Sequence, residues 1–312
     1  SAAAATEEAR VEAASAAAAS NDLPLDADGM LPFYLVDVTE EIFARGTVFL
    51  FGKVPVQRTY VSCCVRVTNL QRCVFVIPRA GMLDTSEVAA AHAVHEACIG
   101  GGDEAATKAA KRELNMALHQ ASGALKTELR EALSKIGVAE HKLKFVRRTY
   151  CLDRADIPVG EQWVVKLTYG ANKAPLPSDL SSEHIAAALG THTTALENLL
   201  VKRKVMGPSW LMLKNAQKNN GAPISWCSLE VTLGDKKDVC LEASGSNRQA
   251  PPLVVASISL RTVVNRSSNI NEIAVASIIT APSVRCHAPT QQAEWNTLSY
   301  LQQVTLVRRL DG

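Results

Sequence analysis

Three groups of side chains in this sequence have the types and spacing to do chemistry. His92, His95 and Cys98 fall at i, i+3 and i+6, so neighbouring members share a helical face and offer zinc-type ligands. No fourth ligand is obvious nearby and the segment is rich in alanine, so ordinary helix residues are the favoured reading. Lys142, Lys144, Arg147 and Arg148 interleave with Phe145 and Tyr150, a pattern suited to phosphate contact and base stacking along a single strand. A lysine-protected strand edge is the alternative. Lys202, Arg203 and Lys204 close a helix, where cations complement the helix dipole. Adjacent Cys63 and Cys64 lie on a strand pattern, so their side chains point to opposite faces and cannot chelate together; buried thiols are expected. Trp210 and Trp226 lie on strand patterns and are expected in the core. No G-x-S-x-G elbow occurs.

These residues need a framework, and the composition supplies one. The 312 residues are 47% hydrophobic and 21% charged, enough apolar surface for a core in one or two domains. The formal net charge of +2 is near neutral, so any nucleic-acid contact must come from local basic clusters. Eight scattered cysteines without a CxxC pair read as reduced thiols of a nuclear or cytosolic protein. No run of eighteen apolar residues suggests a membrane span, and no signal peptide opens the chain.

Residues 1–30 are alanine-rich and low in complexity, and are expected to be disordered or a frayed helix. From Leu31 short runs rich in Val, Phe and Tyr predict strands of a mainly antiparallel sheet. The Asn69-Leu70-Gln71 link predicts a hairpin between two of them. Asp84 with Glu87 resembles a capping box, and Gly100-Gly101-Gly102 ends the helix that follows. A longer helix is expected over Asp103–Ile136, with Gly123 as a break point. Its stripe of Leu114, Leu118, Leu125 and Leu129 faces a core or a partner. Thr194 with Glu197 opens another helix, which Gly207-Pro208 stops. Ser244–Pro252 reads as a linker, and a last hairpin runs from Leu253 to Thr280.

Several unusual strings occur in one order: LPFYLVDVTEE from Leu31, GTVFLFGKV from Gly46, VSCCVRVTNLQR from Val61, LGTHTTALENLLVKRKVMGPSWL from Leu189, ISWCSLEV from Ile224 and PPLVVASISLRTV from Pro251. Together they resemble the N-terminal region of B-family DNA polymerases of the alpha type, over roughly Leu31 to Thr280. The alanine-rich start and the helical segment about 84–140 depart from it.

The resemblance implies an α+β fold. A mixed, largely antiparallel polymerase N-terminal domain would occupy 31–250, with a helical insertion about 84–140. The first strands of an RNase H-like, exonuclease-type domain would occupy 251–312. It implies a nuclear parent enzyme that extends RNA primers with DNA. Its partners would be template DNA, the RNA–DNA primer duplex, the rest of the catalytic core, primase and an accessory subunit. It also strengthens Lys202, Arg203 and Lys204 as nucleic-acid candidates.

Proofreading nucleases of the family hold two metal ions with an Asp-x-Glu on a strand, whose i and i+2 residues share a face. The matching strand here reads Ile258-Ser259-Leu260-Arg261. Serine is a poor ligand for a hard cation and arginine repels it, so Ser259 and Arg261 mark a degenerate site. The palm motifs for polymerisation are not in this sequence. No cofactor is expected for it, although Mg²⁺ would serve the full-length polymerase. A rival reading makes the 103–136 helix the docking surface of a protein-interaction module.

Overall fold

The computed structural model describes residues 22–57, 59–151, 154–243, 248–286 and 301–308, together with positions 12, 15, 16, 289 and 291–293. Most of the segment expected to be disordered, and the start of the 244–252 linker, lie outside the described residues.

The described chain opens with four strands, Leu31–Glu40 (β1), Val48–Val56 (β2), Thr59–Val67 (β3) and Gln71–Pro78 (β4). Helices Ser86–Gly101 (α1), Glu104–Ala121 (α2) and Gly123–Lys135 (α3) follow. Next come His141–Tyr150 (β5), Gly160–Gly170 (β6), Ile185–Leu189 (β7) and helix Ala195–Arg203 (α4). Four short strands, Trp210–Leu213 (β8), Gln217–Lys218 (β9), Leu229–Leu233 (β10) and Val239–Leu241 (β11), precede the final three. Those are Leu253–Asn265 (β12), Ile270–Val284 (β13) and Gln302–Val307 (β14). The architecture is α+β with mostly antiparallel sheets, as expected.

The first sheet has the order β11-β8-β1-β2-β3-β10-β9 and is antiparallel except where β10 runs alongside β3. Its core is built from alternating apolar positions, among them Leu31, Phe33, Leu50, Val65, Leu211 and Val231, with Leu199 of α4 packed on them. Burying each such side chain contributes about 1.5–3 kcal/mol. Gly52 lets β2 cross closely over β1: a Cβ there would lie 2.0 Å from the Tyr34 carbonyl oxygen and 2.6 Å from the Phe33 ring.

The second sheet has the order β5-β6-β4-β7. Helices α1–α3 cover one face, where Leu118, Leu125, Leu129 and Leu133 meet Val76, Val165 and Leu167. The leucine stripe of the 103–136 region is therefore consumed by this chain's own core. That corrects the docking-helix reading, because its supporting feature is not on the surface. The expected break is real: α2 and α3 are separate helices meeting at Ser122, which is fully buried. The third sheet, β12-β13-β14, is antiparallel, and β12 and β13 form the expected hairpin.

Three local expectations fail for identifiable reasons. β3 and β4 do not form a hairpin, because both edges of β3 are taken by β2 and β10. The chain instead turns through left-handed Asn69 (φ 56°) and starts the second sheet. The N-cap of α1 is Thr85, whose hydroxyl accepts from the Val88 N–H, and not Asp84. Gly102 (φ 72°) ends the same helix in the left-handed conformation, as the glycine run predicts. Helix α4 has the Thr194–Glu197 capping box but stops at left-handed Lys204, ahead of Gly207-Pro208. There the Val205 N–H bonds back to the Leu200 carbonyl and the Val205 side chain enters the core.

Candidate nucleic-acid interface and exonuclease-type strand

The basic cluster sits on β5, an edge strand of the second sheet. Alternation divides it. Leu143 and Phe145 point to the helix face and pack in its core, and Arg147 shares their parity. Arg147 is accordingly occupied: its guanidinium pairs with Glu161 at 3.0 Å, lies 5.8 Å from the Trp163 ring centroid and reaches His92 at 3.3 Å. Lys142, Lys144 and Arg148 project from the opposite face and are exposed. Arg147 thus does not join the other three, which corrects the fourfold cluster.

On that open face the register places Lys166 of β6 directly opposite Lys144, and Phe75 of β4 directly opposite Lys166. The Arg148 guanidinium carbon lies 5.7 Å from the Phe75 ring centroid. Lys142 reaches a cleft of about 670 Å³ between the first two sheets, which Arg45, Asn69 and Lys173 also line.

The α4 cations also divide. Arg203 is structural, with Nε donating to the Val239 carbonyl and the guanidinium within 3.7 Å of Cys240 Sγ, so it ties α4 to β11. Lys204 forms the left-handed helix end, and Lys202 is exposed. Lys236, in a 3-10 turn over Lys236–Asp238, lies within electrostatic reach of Lys202 and Lys166. The sequence reading missed Phe75, Lys166 and Lys236. The alternation of β4 and β6 marks Phe75 and Lys166 as sharing parity with a sheet face; for Lys236 no local signal exists.

The zinc-type trio does not converge. His92 stacks edge-on to Trp163 at 5.4 Å, His95 lies 3.9 Å from Glu96, and Cys98 contributes its carbonyl to the Thr107 hydroxyl. Glu128, Glu183 and His184 do bring ligand atoms within 4.8 Å of one another. Glu128 is already engaged, accepting from the Ser182 hydroxyl at 2.5 Å and from His184 Nδ1 at 2.8 Å. These bonds hold its carboxyl below the usual range and latch α3 to the approach of β7.

Cys63 and Cys64 are both buried, and burial raises both thiols, Cys64 to about 11. Trp210 is buried against Tyr34, as expected. Trp226 is fully exposed, contrary to expectation. Its segment is not a strand, because the Ile224 and Ser225 N–H groups bond to the Glu230 carboxylate instead of a ladder.

Ser259 and Arg261 lie on one exposed face of β12, which is an edge strand. The row through Ser259 continues across the sheet as Ser277 and Thr305, whose hydroxyls are 3.2 Å apart. The row through Arg261 continues as Val275 and Val307. These six positions offer three hydroxyls and a guanidinium but no carboxylate, so they do not fit a pair of divalent ions. Glu272, further along β13, is held by Asn265 and Arg308.

Residues 189–305 match the family model for the exonuclease domain of DNA polymerase family B. The chain is related to the B-family DNA polymerases. It is 36% identical over 288 residues to the DNA polymerase alpha catalytic subunit of Oryza sativa subsp. japonica, covering 91% of this chain and 18% of that protein. The corresponding subunit of Arabidopsis thaliana is 36% identical over 294 residues, covering 93% of this chain and 19% of the relative. That of Xenopus laevis is 34% identical over 271 residues, covering 83% and 16%. The chain therefore spans less than one fifth of the length of these relatives. Among the described residues, no helix is long and apolar enough to cross a membrane.

Proposed function

We propose that this chain is a non-catalytic front segment of a replicative B-family polymerase, which scaffolds the catalytic core and helps guide the template strand. The observation that carries the reading is the β12 face. The segment matches the family's exonuclease domain, and the rows through Ser259 and Arg261 carry no carboxylate; on this reading these are the positions that paired carboxylates would occupy to hold metal. On this reading the segment keeps the sheet and not the ligands.

On this reading residues 31–250 form the polymerase N-terminal domain with its helical segment, and 251–312 begin the exonuclease-like domain. The parent enzyme would extend RNA primers with DNA in the nucleus, together with primase and an accessory subunit. Mg²⁺ would serve the polymerase site elsewhere in that enzyme.

The test is incubation of the purified chain with end-labelled DNA in Mg²⁺ and in Mn²⁺. The expected result is intact DNA in both. Metal-dependent shortening that survives repurification, and disappears in a Ser259→Ala, Arg261→Ala variant, would remove the reading.

A further inference from the structure

Four lysines from distant parts of the sequence converge on the face of the second sheet that α1–α3 leave uncovered. Lys144 and Lys166 are direct cross-strand partners on β5 and β6. Helix α4 packs on β4 and on the Lys236–Asp238 turn, and Lys202 and Lys166 both lie within electrostatic reach of Lys236. Partial burial lowers the Lys236 ammonium first and repulsion from Lys202 next, with Lys166 adding to it; Asp235 and Cys73 act in the opposite sense. Cys73 lies two residues from Phe75 on β4, with the same parity, so the groups within electrostatic reach of Lys236 include two of this face, Lys166 and Cys73.

Like charges set directly opposite on a ladder are destabilising. Among the described residues none of the four lysines is held in an ion pair. Beside them Phe75 is half-buried, and Arg148 lies across its ring. The ring also lines an apolar cleft of about 190 Å³, with Tyr150, Val164 and Leu189. Cations spaced around an accessible aromatic ring and an apolar cleft suit a polyanion whose bases are free to stack. A duplex hides its bases and would leave Phe75 unused.

We propose that this face binds single-stranded nucleic acid, with Lys144, Lys166, Lys202 and Lys236 contacting phosphates and a base lying against Phe75 beside Arg148. The proposal deepens the template-guiding reading and rests on it for the strand's origin, but not for the site's chemistry.

The test is fluorescence anisotropy of the whole chain with labelled oligo-dT over a salt series. Wild type binds with an affinity that falls as salt rises. Replacing the four lysines together by glutamine lowers the magnitude of the log–log salt slope by about 0.7 per phosphate contact, roughly 2.8 in all. Phe75→Leu weakens binding by about tenfold and leaves the slope unchanged. Circular dichroism melts confirm that both variants remain folded. An unchanged slope in the fourfold variant, with wild-type binding intact, overturns the site while sparing the polymerase reading. Equal affinity for duplex and single strand, with no effect of Phe75→Leu, overturns the base contact. Displacement by poly-glutamate as effective as by unlabelled oligo-dT overturns the assignment in favour of an acidic polypeptide. Nuclease activity in the metal assay would remove the polymerase-front reading and leave these binding results standing.

Discussion

Lys144 on β5 and Lys166 on β6 are direct cross-strand partners on an antiparallel ladder, two like charges on the same face of the sheet. If that repulsion is retained for binding, relieving it stabilises the fold. Lys144→Glu is expected to raise unfolding free energy in urea by about 0.2–1 kcal/mol. The same variant is expected to bind oligo-dT more weakly. A variant that loses stability and keeps full affinity would contradict both halves.

Glu230 is expected to be a structural carboxylate. Burial raises its pKa, but bonds from Ser225, Asn219 and the Ile224 and Ser225 N–H groups pull it, on balance, below the ordinary carboxylate value. Its contribution is therefore present above the unfolded-state value and is lost as pH falls through the lower folded-state value. Glu230→Gln is expected to cost about 1–3 kcal/mol near neutral pH. The cost shrinks below about pH 4.5, in denaturation curves taken across that range.

Leu125 is fully buried beneath the second sheet. Leu125→Ala is expected to destabilise by about 2–5 kcal/mol. Chemical denaturation monitored by the tryptophans measures it. An effect below about 1 kcal/mol would return the stripe to the surface and revive a docking role.

The thiols are expected to label in two classes. Cys151 and Cys286 are exposed and react with iodoacetamide first. Cys64, raised to about 11 from 9.0, carries about a hundredfold less thiolate and reacts only on unfolding. Cys63, fully buried, follows it. Mass spectrometry over a time course, with and without urea, separates the classes.

Gly52→Ala would place a methyl group 2.0 Å from a backbone oxygen. Neither strand of the β1–β2 pair can retreat without losing its ladder. The expected cost reaches or exceeds the upper end of the roughly 1–3 kcal/mol typical of overpacking, read from urea midpoints.

The strands of the first two sheets were legible because their apolar residues alternate, and the helices because capping residues and glycines mark their ends. The failures share one cause. Local pattern says what a segment is, but partner choice is decided by segments far away. β3 and β4 read as a hairpin because nothing near them reveals that β10, more than 150 residues later, takes the remaining edge of β3. ISWCSLEV reads as one strand, yet Glu230 claims the amides that its first half would have given a ladder. Within β5 the composition was visible and the division was not, so Arg147 was grouped with lysines on the other face. Lys236 joins the basic face only through the packing of α4, which no spacing encodes.

The parallel pairing of β10 with β3 has a consequence for how the molecule is made. Ser62 and Ser228, hydrogen-bonded beside that pair, are 166 residues apart. Everything in the second sheet lies between them. Closing so long a loop from an unfolded chain is slow. A folded second sheet shortens the gap, since it enters at β4 and leaves at β7, which are themselves paired. The order of assembly follows from this: the inserted sheet forms early and acts as a splint, and the first sheet is completed last. During synthesis, strands β1–β3 therefore wait with both outer edges unpaired, that of β1 until β8 emerges and that of β3 until β10 follows.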